Sequence, residues 1–563
     1  MSLPALTQPL QPRCRGAGLW PALLLLSLPA AAAPPLKDQP HLRRPIAAAW
    51  IEPGKLLAVA NQRSGTVSLV DTTVGEVRDE ILIGQHLSDL VAIPQRSLWL
   101  ATDDRRHELI VLVRDADSLR VTDRLPLSPH PVDIEVAPSG ARILVASLWS
   151  RKVTVLRSEA AAGLKPAHVK TLATIEVPFN PRQQAYLMDP LRRYALVADA
   201  FAGNLAVLDT HEFKVIACHE IEGHGIELAS STTLRHHVLH SDVPTRPRDI
   251  ERGLLIHPAT TRLDKADLLD STGLFFPSKV EWDVHLDRKW TAAGPGVQPL
   301  SDYVLDRFAD SVIVRGTTTR LGPSPEPNAA DRGEALFFDT RLSAGQVSDA
   351  ELIPPFRVGP HRKGGWISCH SCHTNGHTCG QLADTLGDGT LGTPKRIPTL
   401  LGTRLTDMWA WNGEVRELHE QVRKSLDNTM HAPKYSLQDV LDITAFLHTL
   451  PPPPPLEPAT EEPADKVQLA RGAGLFKTLG CAKCHVPPLT YTSPETYDVG
   501  LEDEKGLRKF NPPSLRGVSQ GYSFFHDSRA KKLEEVFTVH GHQLDGPLEQ
   551  AELADLLRFL RSL

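Results

Sequence analysis

The sequence contains few methionines and cysteines, with four Met and seven Cys among 563 residues. Past its N-terminal segment it has no apolar run near the ~20 residues that cross a bilayer, which excludes a polytopic membrane protein. Positive charge is not in excess either: the formal net charge is −6 and both signs are mixed, so we expect no nucleic-acid partner. An apolar content of 41% excludes a disordered or collagen-like chain. At roughly 150 residues per domain, the length predicts two or three globular domains.

The N-terminal segment has the order of a secretory signal. Arg13 and Arg15 precede an apolar stretch at residues 19–28, and a run of alanines follows it. We predict a signal peptide over residues 1–33, cleaved near Ala32, and a periplasmic protein without an integral membrane span after cleavage. A retained membrane anchor is the alternative, but it requires a longer apolar run and would face the same compartment. Cleavage removes Cys14 and leaves six cysteines.

Four of these cysteines lie in two Cys-x-x-Cys-His motifs, at residues 369–373 and 481–485. This is the attachment pattern of c-type haem, in which two thiols bond the haem vinyl groups and the adjacent His binds the iron. A four-cysteine zinc site is the alternative, although it gives no reason for the His after each pair. We predict two covalently bound c-type haems, attached through Cys369, Cys372, Cys481 and Cys484, with His373 and His485 as proximal iron ligands. Cys218 and Cys379 could pair or remain free thiols.

The two motifs lie within an internal repeat. The matching segments are 332–337 with 471–476, 397–402 with 512–517, 411–414 with 526–529, and the closing amphipathic helices 443–450 with 556–563. The repeat predicts two copies of one small all-α cytochrome c domain, at residues 329–450 and 465–563. Between them, residues 451–464 form a Pro-rich acidic linker, which we expect to act as a semi-rigid spacer.

This region resembles the bacterial di-haem cytochrome c peroxidase and MauG family over about residues 329 to 563. The motifs that carry the resemblance are the paired haem sites, Trp411-Asn412-Gly413, Tyr497-Asp498-Val499-Gly500 and Phe525-His526-Asp527. The resemblance implies that one haem reacts with peroxide, that the other relays electrons, and that Trp411 couples the two. A buried aromatic residue in the domain interface is the alternative for Trp411. Expected partners are a small redox protein or other electron donor, and hydrogen peroxide or a protein or small-molecule substrate.

The departures from the family concern the first haem. Asp388 stands where the resemblance places a removable distal His, and residues 428–430 stand where it places an acid/base Glu. Peroxide cleavage needs a group that moves a proton between the two oxygens, usually a His or a carboxylate. Asp388 or Asp427 could take that role. Alternatively, Met430 or His431 could cap the iron, which would make the first haem a relay.

The second haem domain, residues 465–563, contains no Met. Coordination by His and Met, which raises cytochrome potentials, is therefore unavailable from its own fold. Besides the proximal His485, the domain offers the imidazoles of His526, His540 and His542. The resemblance places the family's axial Met or Tyr at His540, so we expect the iron to be held by His485 and His540.

The resemblance would imply a calcium ion between the domains, but two positions make this ion doubtful. Ile397 and Pro512 stand where Asn and Thr are usual. Calcium prefers oxygen ligands, and neither side chain offers one.

The first half of the chain, residues 43–322, alternates short β-type runs with turn clusters. A strand pair with small residues and a closing Asp recurs, and alignment on Ala60, Ala101, Ala146 and Ala198 gives spacings of 41, 45 and 52 residues. A four-stranded propeller blade takes ~40–50 residues, so we predict an all-β propeller of six or seven blades that resembles exported YVTN/WD40-like propellers. A β-sandwich is the alternative.

A histidine cluster at His236, His237 and His240 lies within this region. The cluster suggests a metal site. However, alternating strand positions point to opposite faces of a sheet, so we favour a solvated strand.

Two functions remain open from the sequence. The preferred one is a periplasmic di-haem oxidoreductase of the peroxidase/MauG type, whose propeller binds the substrate or covers the haems. The alternative is a non-enzymatic electron-transfer module with a propeller docking domain. The coordination of the first haem, at His373, separates them, because reaction with peroxide requires an open iron position.

Overall fold

The computed structural model describes residues 34–93, 96–159, 168–187, 193–251, 255–263, 268, 280–282, 303–339, 342–343, 367–386 and 390–563. The expected signal peptide and Asp388 lie outside these residues. Within the described ranges, no helix is long and apolar enough to span a membrane.

The first half of the chain forms six antiparallel sheets, and in each sheet consecutive strands pair in chain order. The first sheet contains β1 (Pro45–Glu52), β2 (Leu56–Asn61), β3 (Thr66–Asp71) and β4 (Glu76–Leu82). The second contains β5 (Leu87–Ile93), β6 (Leu98–Asp103), β7 (Glu108–Asp115) and β8 (Ser118–Pro126). The third contains β9 (Pro131–Val136), β10 (Arg142–Ser147), β11 (Lys152–Glu159) and β12 (His168–Glu176). The fourth sheet contains β13 (Pro181–Tyr186), β14 (Tyr194–Asp199), β15 (Asn204–Asp209) and β16 (Lys214–Glu220). The fifth contains β17 (His224–Ser230), β18 (Thr233–Leu239), β19 (Ile256–Arg262) and β20 (Val280–Trp282), with helix α1 (Pro247–Glu251) after β18. The sixth contains β21 (Tyr303–Asp306), β22 (Ser311–Val314) and β23 (Thr317–Arg320).

These sheets are the blades of a propeller, as the sequence repeat predicted. The second strand of each of the first four blades is largely apolar on both sides because each blade is covered by its neighbours, and every residue of β2 is buried. Leu57 and Val59 of the first blade pack with Leu305 and Val312 of the sixth, which closes the ring. The described residues therefore form a six-bladed propeller, the smaller of the two expected counts.

A repeated side-chain bond links the innermost strands of successive blades. The third residue of one inner strand accepts a hydrogen bond from a backbone N–H of the next blade. These bonds join Asp89 Oδ2 to Ile134 N (2.7 Å), Asp133 Oδ2 to Gln184 N (3.1 Å), and Gln183 Oε1 to Leu228 N (2.7 Å). Burial near the propeller axis raises the pKa of Asp89 to about 6. The blades are thus fixed by polar contacts at the axis as well as by apolar faces.

The second half is mainly helical. Its helices are α2 (Ala329–Phe337), α3 (Cys369–Cys372), α4 (Leu418–Lys424), α5 (Leu437–Leu447), α6 (Pro463–Thr478), α7 (Leu533–Thr538) and α8 (Gln550–Arg561). Two short ladders interrupt the helices, β24 (Leu382–Ala383) with β25 (Lys395–Arg396), and β26 (Tyr497–Asp498) with β27 (Lys509–Phe510). The expected all-α character is therefore not complete, because each repeat also contains a two-stranded ladder.

The sequence repeat corresponds to repeated contacts. In the first copy, Arg332 on α2 pairs with Asp442 on α5, with Nη2 and Oδ1 at 2.7 Å. In the second copy, Arg471 on α6 pairs with Asp555 on α8, with the same two atoms at 2.9 Å. Each copy thus joins its first and last helices by an equivalent ion pair.

A second repeated contact closes each copy. Gly402 N donates to the carbonyl of Leu450 at 3.1 Å, and Gly517 N donates to the carbonyl of Leu563 at 2.9 Å. Both glycines have positive φ, 84° and 65°, a conformation that favours glycine. The end of each final helix is therefore held at the same place in both copies.

The linker at residues 451–464 packs against both copies. A Cβ built on Gly402 would lie 3.1 Å from Pro452 Cβ, and one built on Gly517 would lie 2.5 Å from Pro453 Cβ. The proline segment therefore contacts both copies, and its role as a semi-rigid spacer stays a prediction.

The propeller contacts the first copy through ion pairs with two largely buried carboxylates of α2, Asp331 and Glu334. Arg63 Nη1 lies 2.8 Å from Asp331 Oδ1, and Arg307 Nη2 lies 2.7 Å from Glu334 Oε1. Arg44, with a side chain 4% exposed, lies 3.5 Å from the second carboxylate oxygen of Glu334. Because a buried charge must be paired, these contacts fix α2 against the propeller.

Candidate functional site

The first Cys-x-x-Cys-His motif is built on a single helical turn. Cys369 and Cys372 are the first and last residues of α3, which places both thiols on one side, and His373 follows directly. His373 Nδ1 donates to the carbonyl of Pro398 at 2.9 Å. This bond sets the ring orientation and leaves Nε2 as the nitrogen for a metal ion. Burial lowers the pKa of His373 to about 4, so the ring is neutral at pH 7.

The second motif repeats this arrangement. Cys481 and Cys484 lie on a turn that begins after Gly480, and His485 follows. His485 Nδ1 donates to the carbonyl of Tyr491 at 3.0 Å, and the carbonyl of Pro513, the repeat counterpart of Pro398, is a further acceptor. Burial lowers the pKa of His485 to about 4.

This donor set fits a c-type haem in both copies. Each motif presents two thiols on one turn, followed by a neutral imidazole whose Nδ1 is already bonded to a carbonyl. Among the residues that the structure describes, no group of three or more His, Cys, Asp or Glu side chains is placed to hold a metal ion. The four-cysteine zinc alternative therefore has no geometry to support it in this part of the chain.

A propeller histidine covers the first motif. His224 Nε2 donates to the carbonyl of Ser371, between the two cysteines, at 2.6 Å. His224 is fully buried and stacks on His237, with ring centroids 5.7 Å apart. The expectation of a solvated strand is wrong here, since His236 and His237 are only 1% and 7% exposed. The reason is that the fifth blade lies against the haem-attachment segment.

Met430, one of the two residues that could cap the first iron, lies beside the first motif. It is buried, with Sδ 3.9 Å from Cys369 Sγ. His431 points the other way, because its Nε2 donates to the propeller carbonyl of Thr245 at 2.7 Å. Of these two candidate iron ligands, the structure brings only Met430 to the motif.

Asp427, one of the two residues expected to transfer a proton, is not brought to the motif. Asp427 is exposed and accepts a hydrogen bond from the hydroxyl of Tyr435. Asp388 lies outside the described residues.

Two buried polar atoms of the first copy, Trp409 Nε1 and Gln421 Oε1, lack a hydrogen-bond partner among the described residues. Trp409 packs against the apolar cluster that contains Met430. Sequence reasoning missed both residues. The available signal was that Gln421 follows buried Leu418 by one helical turn of α4, which places an uncharged polar group on the inner face.

Trp411 lies where the two copies meet. Its Nε1 donates to the carbonyl of Arg396 at 2.9 Å, and the Arg396 guanidinium lies 5.2 Å above its ring. The ring of His526, the repeat counterpart of Trp411, is 6.4 Å away at 70°. The backbone contacts are reciprocal: Arg396 N donates to His526 O at 2.6 Å, and Asn511 N donates to Trp411 O at 2.9 Å. The two motifs are thus related by an approximate twofold arrangement with Trp411 and His526 at its centre.

The turn at residues 540–542 approaches the second motif. The rings of His540 and His542 contact Phe525, with centroids 5.3 and 5.5 Å from its ring. His542 lies close enough to His485 that its charge contributes to lowering the pKa of that ring. His540 as iron ligand stays a prediction, and His542 joins it as a second imidazole beside the same pocket.

The positions that bear on calcium have engaged carbonyls. The hydroxyl of Thr378 donates to the carbonyl of Ile397 at 2.6 Å, and the hydroxyl of Thr492 donates to that of Pro512. Each oxygen that the backbone offers here already has a protein donor.

The remaining cysteines do not pair. Cys218 is exposed on β16 and Cys379 is fully buried, and both are free thiols. Burial raises the pKa of Cys379 well above its ordinary value, so this thiol stays protonated.

Comparison with known proteins bears on the helical region. Residues 327–445 match the family described as di-haem cytochrome c peroxidase. A cytochrome c551 peroxidase from Nitrosomonas europaea is 26% identical over 287 residues, which cover 42% of this chain and 79% of that protein.

Two solved structures match parts of the chain with low scores. A chain of Kuenenia stuttgartiensis hydrazine synthase is 15% identical, with a TM-score of 0.34, and the match covers 40% of this chain and 64% of that chain. Dihydro-heme d1 dehydrogenase NirN in complex with DHE is 17% identical, with a TM-score of 0.30, and the match covers 42% of this chain and 47% of that chain. Scores this low support no conclusion about this chain. The match to the di-haem cytochrome c peroxidase family, in contrast, confirms the resemblance that the motifs predicted for the region after the propeller, and this family implies haem as the cofactor.

Proposed function

We propose that this protein is an exported, periplasmic oxidoreductase with two covalently attached c-type haems, which reacts with hydrogen peroxide or a related oxidant at the first of them. The observation that carries the proposal is the twofold arrangement of two attachment motifs around Trp411 and His526. Residues 329–450 and 465–563 then act as two cytochrome c units. Two redox centres on either side of one aromatic contact favour electron transfer between them.

At the first haem, Cys369 and Cys372 would form the thioether bonds and His373 would bind the iron through Nε2. The haem supplies the redox chemistry when bound. The chain orients it through the Pro398 carbonyl on His373 and excludes water on one side through His224, which closes the propeller over the motif.

Trp411 is proposed as the contact through which electrons pass between the units. The Arg396 cation above its ring stabilises the electron-rich neutral indole and opposes removal of an electron from it. Trp411 therefore serves as a path rather than as a residue on which an oxidising equivalent rests.

At the second haem, Cys481 and Cys484 would form the thioether bonds and His485 would bind the iron. The sixth ligand is proposed to come from the turn of His540 and His542. Two imidazole ligands give a low-spin iron with a lower potential than a His/Met haem, which suits an electron relay. The propeller is proposed to cover the first haem and to dock an electron donor or substrate.

A second function is favoured by one observation, the place of Met430 beside Cys369. If Met430 binds the first iron, both haems are six-coordinate and the protein is an electron-transfer module without peroxide chemistry.

Electron paramagnetic resonance and optical titration of the oxidised protein with hydrogen peroxide separate the two functions. The proposed enzyme gives a five-coordinate, high-spin signal from the first haem, which disappears on addition of peroxide. Met430→Leu, a change of similar volume, leaves that signal unchanged. Two low-spin haems inert to peroxide, with a high-spin signal appearing only in Met430→Leu, would instead establish the relay.

A further inference from the structure

A half-buried tyrosine and a fully buried carboxylate join the fourth blade to the second helical unit. Tyr522 Oη donates to Asp199 Oδ1 at 2.6 Å and lies 3.0 Å from Asn180 Oδ1. Tyr522 precedes α7 in the helical region, whereas Asp199 ends β14 of the propeller and is 0% exposed. The pair therefore lies at the contact between propeller and helices.

The surroundings of Asp199 prepare it to accept a proton. Its carboxylate also accepts hydrogen bonds from Asn204 Nδ2 at 2.6 Å and from Phe201 N at 3.1 Å, and both donors are uncharged. Burial raises the pKa of Asp199 to about 6, although the charge of Arg151 opposes this shift. Burial raises the pKa of Tyr522 well above its ordinary value. At neutral pH the contact is thus a short bond from a neutral phenol to a carboxylate that is a better base than an exposed one.

An aromatic cluster connects this pair to the first haem motif. The Tyr522 ring lies 6.2 Å from Phe201 and 6.4 Å from His377. His377 is 4.7 Å from Phe201 and 5.4 Å from Trp149, and it follows the haem ligand His373 by four residues. Phe201 and His377, which lie between Tyr522 and the motif, are only 1% and 2% exposed.

Tyr522 differs from Trp411 in what happens to its proton. The Trp411 N–H bonds to an amide carbonyl, which is not a base, and the ring carries the Arg396 cation above it. The Tyr522 O–H bonds to a carboxylate, and a phenol that loses an electron becomes a strong acid. Loss of the proton to Asp199 lowers the energy of the oxidised tyrosine, which favours an oxidising equivalent resting there.

We propose that Tyr522 is a redox-active residue, oxidised by one electron with transfer of its proton to Asp199. This rests on the proposed function, because the oxidant is the first haem after its reaction with peroxide. In the step, one electron passes from Tyr522 to the oxidised haem, the O–H bond breaks, and the proton moves to Asp199 Oδ1. The products are a neutral phenoxyl radical, a carboxylic acid and a haem reduced by one electron. An external electron donor and return of the proton restore the pair.

The test is rapid-freeze electron paramagnetic resonance of the full haem-loaded protein, grown with ring-deuterated tyrosine and mixed with peroxide. The expected result is a radical signal whose splitting narrows on deuteration and which is absent from Tyr522→Phe. Asp199→Asn should slow its formation by about tenfold or more and remove its solvent isotope effect. Tyr303→Phe removes another half-buried tyrosine's hydroxyl, which is bonded to the Ala48 carbonyl, and should leave the signal unchanged. Haem absorbance and circular dichroism check that each variant is folded.

Optical spectra recorded in parallel separate the two claims. If peroxide changes the haem spectrum and Tyr522→Phe still gives the full tyrosyl signal, or no tyrosyl signal forms in the parent, the inference is wrong and the proposed function stands. If peroxide leaves the haem unchanged, the proposed function fails, and radiolytic azide radicals replace the haem as one-electron oxidant. The inference then requires a stable radical on Tyr522 that is absent from Tyr522→Phe. A stable radical on any other residue overturns it.

Discussion

His373 and His485 show most directly how single residues prepare this chain for haem. In both, a backbone carbonyl holds Nδ1 while burial keeps the ring neutral. The sequence could predict these histidines and their cysteines, because covalent attachment fixes the spacing of five consecutive residues. It could not predict His224, whose partner Ser371 is 147 residues away. Contacts over such separations depend on how the domains pack and leave no local pattern.

The His540 and His542 pair gives a prediction at this scale. His540→Gly and His542→Gly should behave differently, because only one imidazole is needed as sixth ligand. The variant that lacks the ligating ring should have a high-spin second haem, whereas the variant that keeps this ring should stay low-spin. Low-temperature electron paramagnetic resonance of the two variants measures this. If both variants kept an unchanged low-spin signal, neither ring would be the ligand.

Among the elements, the helix pairs that close each unit depend on glycine. A Cβ on Gly333 of α2 would lie 1.9 Å from the carbonyl oxygen of Asp442, and one on Gly472 of α6 would lie 2.2 Å from that of Asp555. Repeating sequence segments were sufficient to predict these helices and the propeller blades, because both signals are local. The two-residue ladders β24–β25 and β26–β27 were missed, since two residues carry no periodic pattern.

Helix α6 offers a matched pair of substitutions. Gly472→Ala should lower the free energy of unfolding of the second unit by about 1–3 kcal/mol, because the new methyl group forces α8 away. Gly474→Ala, on the exposed side of the same helix with no atom within 4 Å of a new Cβ, should raise it by about 0.5–1 kcal/mol. Denaturant unfolding followed at the second haem tests this. Equal effects of the same sign would show that the helices do not approach as closely as described.

Across the whole molecule, the propeller forms part of the first haem unit. Propeller residues Ile250, Leu255 and Ile256 belong to the same apolar cluster as Met430. The backbone carbonyl of Thr245 adds a polar contact beside this cluster. The sequence predicted the propeller and a helical second half but not their arrangement, because a propeller can dock through either face. The propeller thus covers the first Cys-x-x-Cys-His motif, and Tyr522 lies at its contact with the second unit.

The most direct test of the two-haem arrangement is the intact mass of the exported protein under denaturing conditions. The mass should exceed that of the mature polypeptide by two haem groups. Replacing Cys369 and Cys372 by Ala should remove one of them, and replacing Cys481 and Cys484 by Ala should remove the other. A polypeptide without covalent haem, or with a single haem unaffected by either pair of substitutions, would contradict the arrangement.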